Sequence, residues 1–491
     1  MGRGLSSNFG EPYLLHAPLY GILAGAVNFI VRDLGLSLRL VSLTAFSLTV
    51  IPIFLVARDL YSSKAAHWAA LLFATHGFLL VYSNLAVSDN FFLLLIYTLL
   101  YGAHRLIQRE TTAPLPLLPA LFFGGVGGLA YLTRFEGILH FALLVTALFL
   151  LMRKPLRSRG LFLGLALAAF TLVCSPYVYY VFKNTGRWRP VSTLFETGVT
   201  ARALDVNHPG QYGEVKKILH GLAEDHERLE MDRRIENFNL FKSLRENDNA
   251  LLKSAPRTLA ARITGFVQYL YGGLGLILVA VSWFSGPWGP GRRRSEMLIC
   301  LYLLPFLPFL ISIYEVRRYL MILPLFLLWS GNGLEQLRIS AELNFSWGKK
   351  LSFLVPGLVL LVFISGSVWY LSRSLTNIEP LEEYRKLGSW MKQNLPDIER
   401  ERVAAESPYL HFYSGANYLK LPYMKAFDDL RDYLIHHKTK YFLVGSDLDF
   451  PLSESFGFLL EERNAPPSGV VPLYTVEGKR KIILYEVSAS R

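Results

Sequence analysis

Charge is scarce in this 491-residue chain: Asp, Glu, Lys and Arg together make up 18%, against about a quarter in an ordinary soluble protein. A water-soluble body of this size would lack polar residues to cover its surface, so that class is excluded. Cysteine is scarcer still. Cys174 and Cys300 both lie in apolar runs, which excludes a disulfide framework and a cysteine-based zinc site. There is no internal repeat, low-complexity tract, glycine-rich phosphate loop, HExxH or paired-cysteine motif. What is abundant is apolar: 52% hydrophobic residues and 14% aromatics, figures that exclude disorder and collagen. Lys and Arg number 50 against 38 Asp and Glu, a net charge of +12. The excess sits in short connectors between apolar runs rather than on one face, so nucleic acid is not the partner. The composition is that of a membrane protein.

A hydrocarbon core about 30 Å thick takes about 20 apolar residues in helix. Ten runs read as such spans, at roughly 39–57, 66–84, 90–107, 115–133, 136–152, 160–182, 266–285, 296–314, 319–334 and 351–372. Pro18–Val31 is too short to cross and reads as a helix lying along the surface, with a buried half-helix as the other reading. Lys and Arg in short loops set the orientation. Fourteen fall in one set of alternate connectors, from Arg58 to Lys350, and three, Arg134, Arg317 and Arg318, in the other. The first set is therefore cytoplasmic, and the loop at about 183–265 and everything after 373 are extracytoplasmic. The same polarity puts Met1 outside with no signal peptide before it. A start that has lost an upstream transmembrane helix accounts for this better than unaided translocation of the first 17 residues.

Two parts lie outside the bilayer on this reading. Within the long loop, Glu214–Asn249 has the spacing of a charged amphipathic helix, either a lid over a site or a solvated cap. From about 373 the composition becomes that of a small soluble α/β domain. It has a helix over Glu382–Asn394, strands near Val403–Ala405, Tyr441–Val444 and Lys481–Val487, and turns at Ser414-Gly415 and Glu477-Gly478. The expected domains are thus 1–372, a mostly α polytopic bundle, and 373–491, a small extracytoplasmic α/β domain that serves docking or stability.

Polar residues at a membrane boundary are costly to bury and so are informative. Asp89 opens a span, either as a helix cap or as a working carboxylate. Arg134 and Glu136 stand in a tight outer turn, where a plain ion pair is the simpler account. Arg317, Arg318 and Tyr319 follow Glu315, and adjacent arginines on the wrong side of the charge bias suit a phosphate, with a lipid headgroup as the ordinary explanation. In Gly10-Glu11-Pro12-Tyr13-Leu14-Leu15-His16-Ala17-Pro18-Leu19-Tyr20 a carboxylate and an imidazole precede the surface helix. Glu11 with His16 supplies two ligands of the several a divalent metal needs, and nothing in the sequence requires one. A carboxylate base, an arginine cluster for phosphate and two folded outer elements suit group transfer from a membrane-embedded phospholipid carrier to an acceptor outside.

These motifs resemble those of the GT-C glycosyltransferases, and within that fold the protein O-mannosyltransferase and lipid A aminoarabinose transferase superfamily. His16-Ala17-Pro18-Leu19-Tyr20 is similar to its "(H/K)-P-P-L-Y" element, and Val56–Tyr61 with Ala65–Leu72 to its first cytoplasmic turn. Asp89-Asn90 resembles an acidic helix start, Leu132–Gly137 resembles "LTR-x-EG", and Arg318-Tyr319 with Pro324 resembles "R-Y-x-x-p-x-P". The likeness runs from about Glu11 to Val487. It implies transfer of a sugar from a polyprenyl-phosphate-linked donor to an extracytoplasmic lipid, glycan or protein at the inner (cell) membrane. Asp89 and Glu11 would be catalytic, and His16, Tyr20, Arg134, Glu136, Arg317, Arg318 and Tyr319 would bind substrate. The family's leading Asp-Glu pair, taken as its base, is absent before Glu11, and Ala17 replaces the usual proline. A lipid-carrier flippase or an inactive membrane scaffold are the competing readings; a transporter would show pseudo-symmetric halves, and none is visible.

Overall fold

The structure, a computed structural model, describes residues 17–108, 117–185, 188, 260, 263–271, 273–286, 288–304, 317, 319–344, 351–377, 382–406, 409–421, 427–446, 456–461 and 467–487. Glu11, His16, Arg318 and the amphipathic segment 214–249 lie outside them. Two compact units divide the chain, one of 14–195 with 254–374 and the other holding 375–491.

The first unit is all helix: α1 (Leu19–Val31), α2 (Leu34–Leu60), α3 (Ser63–Thr75), α4 (Gly77–Ser83), α5 (Asp89–Gln108), α6 (Leu117–Thr133), α7 (Gly137–Leu151), α8 (Leu156–Thr185), α9 (Ile263–Tyr269), α10 (Leu274–Phe284), α11 (Pro290–Leu303), α12 (Tyr319–Asn344) and α13 (Leu354–Asn377). Short side chains supply the caps. Asp33 accepts from Leu36 N–H at 2.9 Å, and Ser62 accepts from Ala65 N–H at 3.1 Å. Among the described residues, four stretches, in α2, α5, α8 and 351–374, are long and apolar enough to cross a membrane alone, and two bent pairs, α3–α4 and α9–α10, bring the number up to six if each is one span. The chain is a multi-pass membrane protein.

Several expected spans differ from what forms. The run at 66–84 is broken by 59° at His76, and that at 266–285 by 90°. Gly273 there adopts φ +96°, a left-handed conformation that suits glycine. α6 and α7 are 17 and 15 residues long, shorter than a full crossing, and α11 begins at Pro290 rather than 296. Pro18–Val31 does form a short helix, α1, with Ile22, Phe29 and Ile30 exposed.

Small residues set the closest approaches, as is usual where helices pack without a hydrophobic drive between them. α6 lies on α8 through Gly124 and Gly128, where an added Cβ would meet the Ala166 carbonyl at 2.1 Å and Val173 at 2.7 Å. α12 is held between α3 and α10. The core runs through Phe73, Phe78, Phe92, Tyr97, Tyr302 and Trp329.

The second unit is a three-layer α/β body. Its sheet has the order β2-β1-β3-β5-β4 (β1 Arg402–Ala405, β2 Asn417–Lys420, β3 Tyr441–Gly445, β4 Val470–Val476, β5 Ile482–Val487), with β1, β2 and β3 parallel and β5 and β4 antiparallel. Side chains alternate across it. Val403, Ala405, Tyr441 and Leu443 meet α14 (Glu382–Asn394) through Tyr384, Leu387 and Met391. Ala404, Phe442 and Val444 meet α16 (Phe427–His436) through Leu430 and Leu434. The short α15 (Tyr409–Ser414) follows β1.

Candidate functional site

α5 starts at Asp89, with its positive helix end toward that carboxylate. The α6–α7 turn, Arg134 to Glu136, stands against the same end. Arg134 donates through Nη1 to Asp89 Oδ1, and through Nη2 and Nε to Glu136 at 2.9 and 3.4 Å. Its guanidinium also lies over the Phe92 ring at 5.9 Å. Asp89 is 2% exposed, and the side chains of Arg134 and Glu136 are 11% and 10% exposed. Charges so buried persist only when paired and hydrogen-bonded; the fork of one arginine answers both acids. Asp89 therefore does more than open its helix, and the Arg134–Glu136 turn pair supplies two members of a three-residue cluster.

Asn90, next along α5 and 1% exposed, donates Nδ2 to the Tyr82 carbonyl at 2.9 Å. That carbonyl ends α4 and leads into an aromatic group. Phe78 packs at a tilt against Tyr82 and Tyr269, with centroids 4.8 and 4.4 Å away, and Tyr269 meets Tyr319 at 5.4 Å. Tyr319 opens α12 and is 4% exposed; Arg317 precedes it. On the other side, Tyr20 of α1 donates to the Leu38 carbonyl at 2.8 Å and shares a 3.0 Å hydrogen bond with Ser42. Ser42 in turn donates to the Val87 carbonyl at 2.7 Å, two residues before Asp89. Asp89, Arg134, Glu136, Tyr20 and Tyr319 thus all belong to one end of the bundle. The structure brings the first three into direct contact, ties Tyr20 to the start of α5 through Ser42, and joins Tyr319 to that end through the Tyr269–Phe78–Tyr82 aromatic group. Among the described residues no three His, Cys, Asp or Glu are placed to share a metal.

Sequence reasoning missed a second buried polar cluster at the opposite end. Glu296 of α11, 1% exposed, accepts from Tyr61 Oη and from Trp329 Nε1 at 2.8 Å, with Arg292 Nε 3.6 Å away. Arg292 donates to the Ser282 carbonyl at 2.7 Å and stacks on Tyr61 and Trp288 at 5.2 Å. The signal was present: a carboxylate inside an apolar run, with an arginine four residues earlier on the same helical face. Its links to α2 and α12 were not.

Residues 15–180 match the family model described as dolichyl-phosphate-mannose-protein mannosyltransferase, a stretch that holds Tyr20, Asp89, Arg134 and Glu136. No curated protein matches. Among solved structures, the apo oligosaccharyltransferase of Archaeoglobus fulgidus aligns at 14% identity and TM-score 0.58, covering 87% of this chain. This chain spans 61% of that protein's length. Apo ArnT from Cupriavidus metallidurans aligns at 12% identity and TM-score 0.58 over 97% of this chain and 88% of that one. The same protein bound to undecaprenyl phosphate aligns at 13% identity and TM-score 0.53, over the same shares. The fold is of the GT-C type: a transmembrane helical bundle with a small α/β unit at the C-terminus.

Proposed function

We propose that this chain is a membrane glycosyltransferase that moves a sugar from a polyprenyl-phosphate carrier to an acceptor on the extracytoplasmic side. The observation that carries the reading is the buried Asp89–Arg134–Glu136 cluster at the mouth of a GT-C bundle. The match of residues 15–180 to a mannosyltransferase model and the likeness to a protein that binds undecaprenyl phosphate support it. The charge bias of the loops supports an extracytoplasmic site.

In this reading Asp89 is the general base. Among the described residues its side chain accepts one hydrogen bond, at Oδ1 from Arg134, which leaves Oδ2 for an acceptor hydroxyl. As the hydroxyl oxygen forms its bond to the sugar's anomeric carbon, its proton passes to Oδ2. The bond from that carbon to the phosphate oxygen breaks, and the carrier leaves as polyprenyl phosphate. One carboxylate suffices, because phosphate departs without a proton, and the transfer inverts the anomeric centre. Arg317, Arg318, Tyr319 and His16 bind the phosphate, where cationic donors stabilise the charge that develops. Arg134 and Glu136 fix the base, and Tyr20 holds α1 beside it.

The test is transfer in proteoliposomes with a panel of undecaprenyl-phosphate-linked hexoses, read as released undecaprenyl phosphate. Asp89→Asn keeps a hydrogen bond to Arg134 and removes the base, and should lower the rate by about a hundredfold or more with expression unchanged. Full activity in Asp89→Asn removes it from the mechanism. The two broken spans favour a second reading, passage of the carrier headgroup without chemistry. The same assay separates the two, since a flippase moves the donor and leaves it intact.

A further inference from the structure

At the end of the bundle away from Asp89, some arginines have no acidic partner among the described residues. Arg153 follows α7 and is exposed; Arg294 lies in the first turns of α11, which packs on α7. Both therefore stand at the end of the bundle where α7 and α11 pack together. Arg294 commits Nε to the Pro290 carbonyl at 3.2 Å and Nη1 to the Ile107 carbonyl at 3.4 Å, leaving Nη2 uncommitted. Neither arginine has an ion-pair partner among the described residues, nor do their neighbours Arg157 and Arg293. Two guanidiniums on packed elements repel, and an anion seated between them turns that cost into two charge-assisted hydrogen bonds.

The surface that leads away from the pair specifies the anion. Along α7 the outward face continues through Leu150 and Leu139, 65% and 45% exposed, and along α11 through Met297, 52% exposed, to Leu304, 44% exposed. Leu156, 70% exposed, flanks Arg153 from the start of α8. A cationic pair above two apolar stripes matches a molecule with an anionic head and hydrocarbon tails. A soluble phosphate has no use for the stripes, and a zwitterionic lipid brings its own cation to the arginines.

We infer that Arg153 and Arg294 hold the phosphate of an anionic phospholipid in the seam between α7 and α11, with its acyl chains along Leu150 and Met297. The site is remote from Asp89 and does not depend on the chemistry proposed there.

Native mass spectrometry of the full-length protein, equilibrated with equal amounts of phosphatidylglycerol and phosphatidylcholine of the same chains, reads the preference directly. The wild type should retain the anionic lipid. Arg153→Gln with Arg294→Gln should lower the retained ratio of the two lipids about tenfold, while Arg39→Gln, an exposed arginine of α2, leaves it unchanged. Should the double variant fold poorly, Arg153→Gln alone remains informative, because that side chain makes no hydrogen bond among the described residues; it should lower the ratio about threefold. Equal retention of both lipids by the wild type, or an unchanged ratio in Arg153→Gln, overturns the site. Displacement of the lipid by glycerol phosphate would make it a site for free phosphate and overturn the lipid assignment.

Discussion

Glu296 shows how one side chain can tie three helices. Its two oxygens take a phenol from α2 and an indole from α12, and its charge faces Arg292 on its own helix. Removing the acid leaves two buried donors without an acceptor and Arg292 without its counter-charge, so Glu296→Ala should cost about 3 kcal/mol. Glu296→Gln keeps an acceptor for one donor and should cost about half as much. Unfolding midpoints of the full chain in detergent check the order, and equal midpoints for the two variants would show that Glu296 bears no such tie. Arg134 repeats the principle at the other end with the charges reversed. Such clusters are legible in part. Arg134 and Glu136 are two residues apart and readable as a pair, whereas Asp89 lies 45 residues from Arg134 and Tyr61 lies 235 from Glu296, separations that only tertiary packing closes.

At the level of elements, glycine decides where helices meet. On α12, an added Cβ at Gly331 would come within 2.5 Å of the Ala69 backbone, and one at Gly333 within 2.2 Å of the Leu278 carbonyl. Backbone cannot yield as a side chain tip can, so Gly333→Ala should destabilise by about 1–3 kcal/mol. Gly357 of α13 faces open space, and Gly357→Ala should be neutral or gain up to about 1 kcal/mol in helix propensity. A reversed order in thermal midpoints would refute the contact argument. Hydropathy placed the helices because burial in lipid demands long apolar runs. It did not foresee the kinks at His76 and Gly273, since a broken helix keeps the same composition. In the C-terminal sheet, Glu382–Asn394 and the central strands were readable from their apolar spacing. β2 and β4 were not: both are edge strands, and β4 carries Pro472 with a register shift beside it and exposes Val471, which blurs the alternation.

For the molecule as a whole, acid should loosen the C-terminal unit first through His411. Burial pushes its imidazole down to about 4 from the usual 6.5, against a backbone hydrogen bond at Ala416 that favours the charged form. The unfolded chain binds that proton below about pH 6.5, the folded one only near 4. Stability is therefore level above about pH 6.5 and falls as pH drops toward 4, by on the order of 3 kcal/mol. Glu383 adds a later loss. Burial alone would raise its carboxyl, but backbone N–H groups, those of Arg480 and Lys479 among them, outweigh it and hold the group below the usual range, so its contribution fades as pH falls below about 4.5. Hydrogen exchange of β1 and β3 in the full chain at pH 7 and pH 5 should show faster opening at pH 5, and His411→Gln should flatten the difference. Equal protection at both pH values in the unaltered chain would exclude His411 as the cause.

The break at His76 also bears on how the protein is made. α3 and α4 hold 13 and 7 residues, about 20 and 10 Å of helix, so neither half crosses a hydrocarbon layer about 30 Å thick by itself. The backbone amide at the joint is answered by Ser367 Oγ at 3.1 Å, 290 residues later, and by Tyr271 Oη at 3.3 Å. A nascent chain leaving the ribosome must therefore carry an open joint through most of its synthesis. The joint gains its second partner only when α13 arrives, so chains truncated before α13 should be cleared by quality control rather than accumulate.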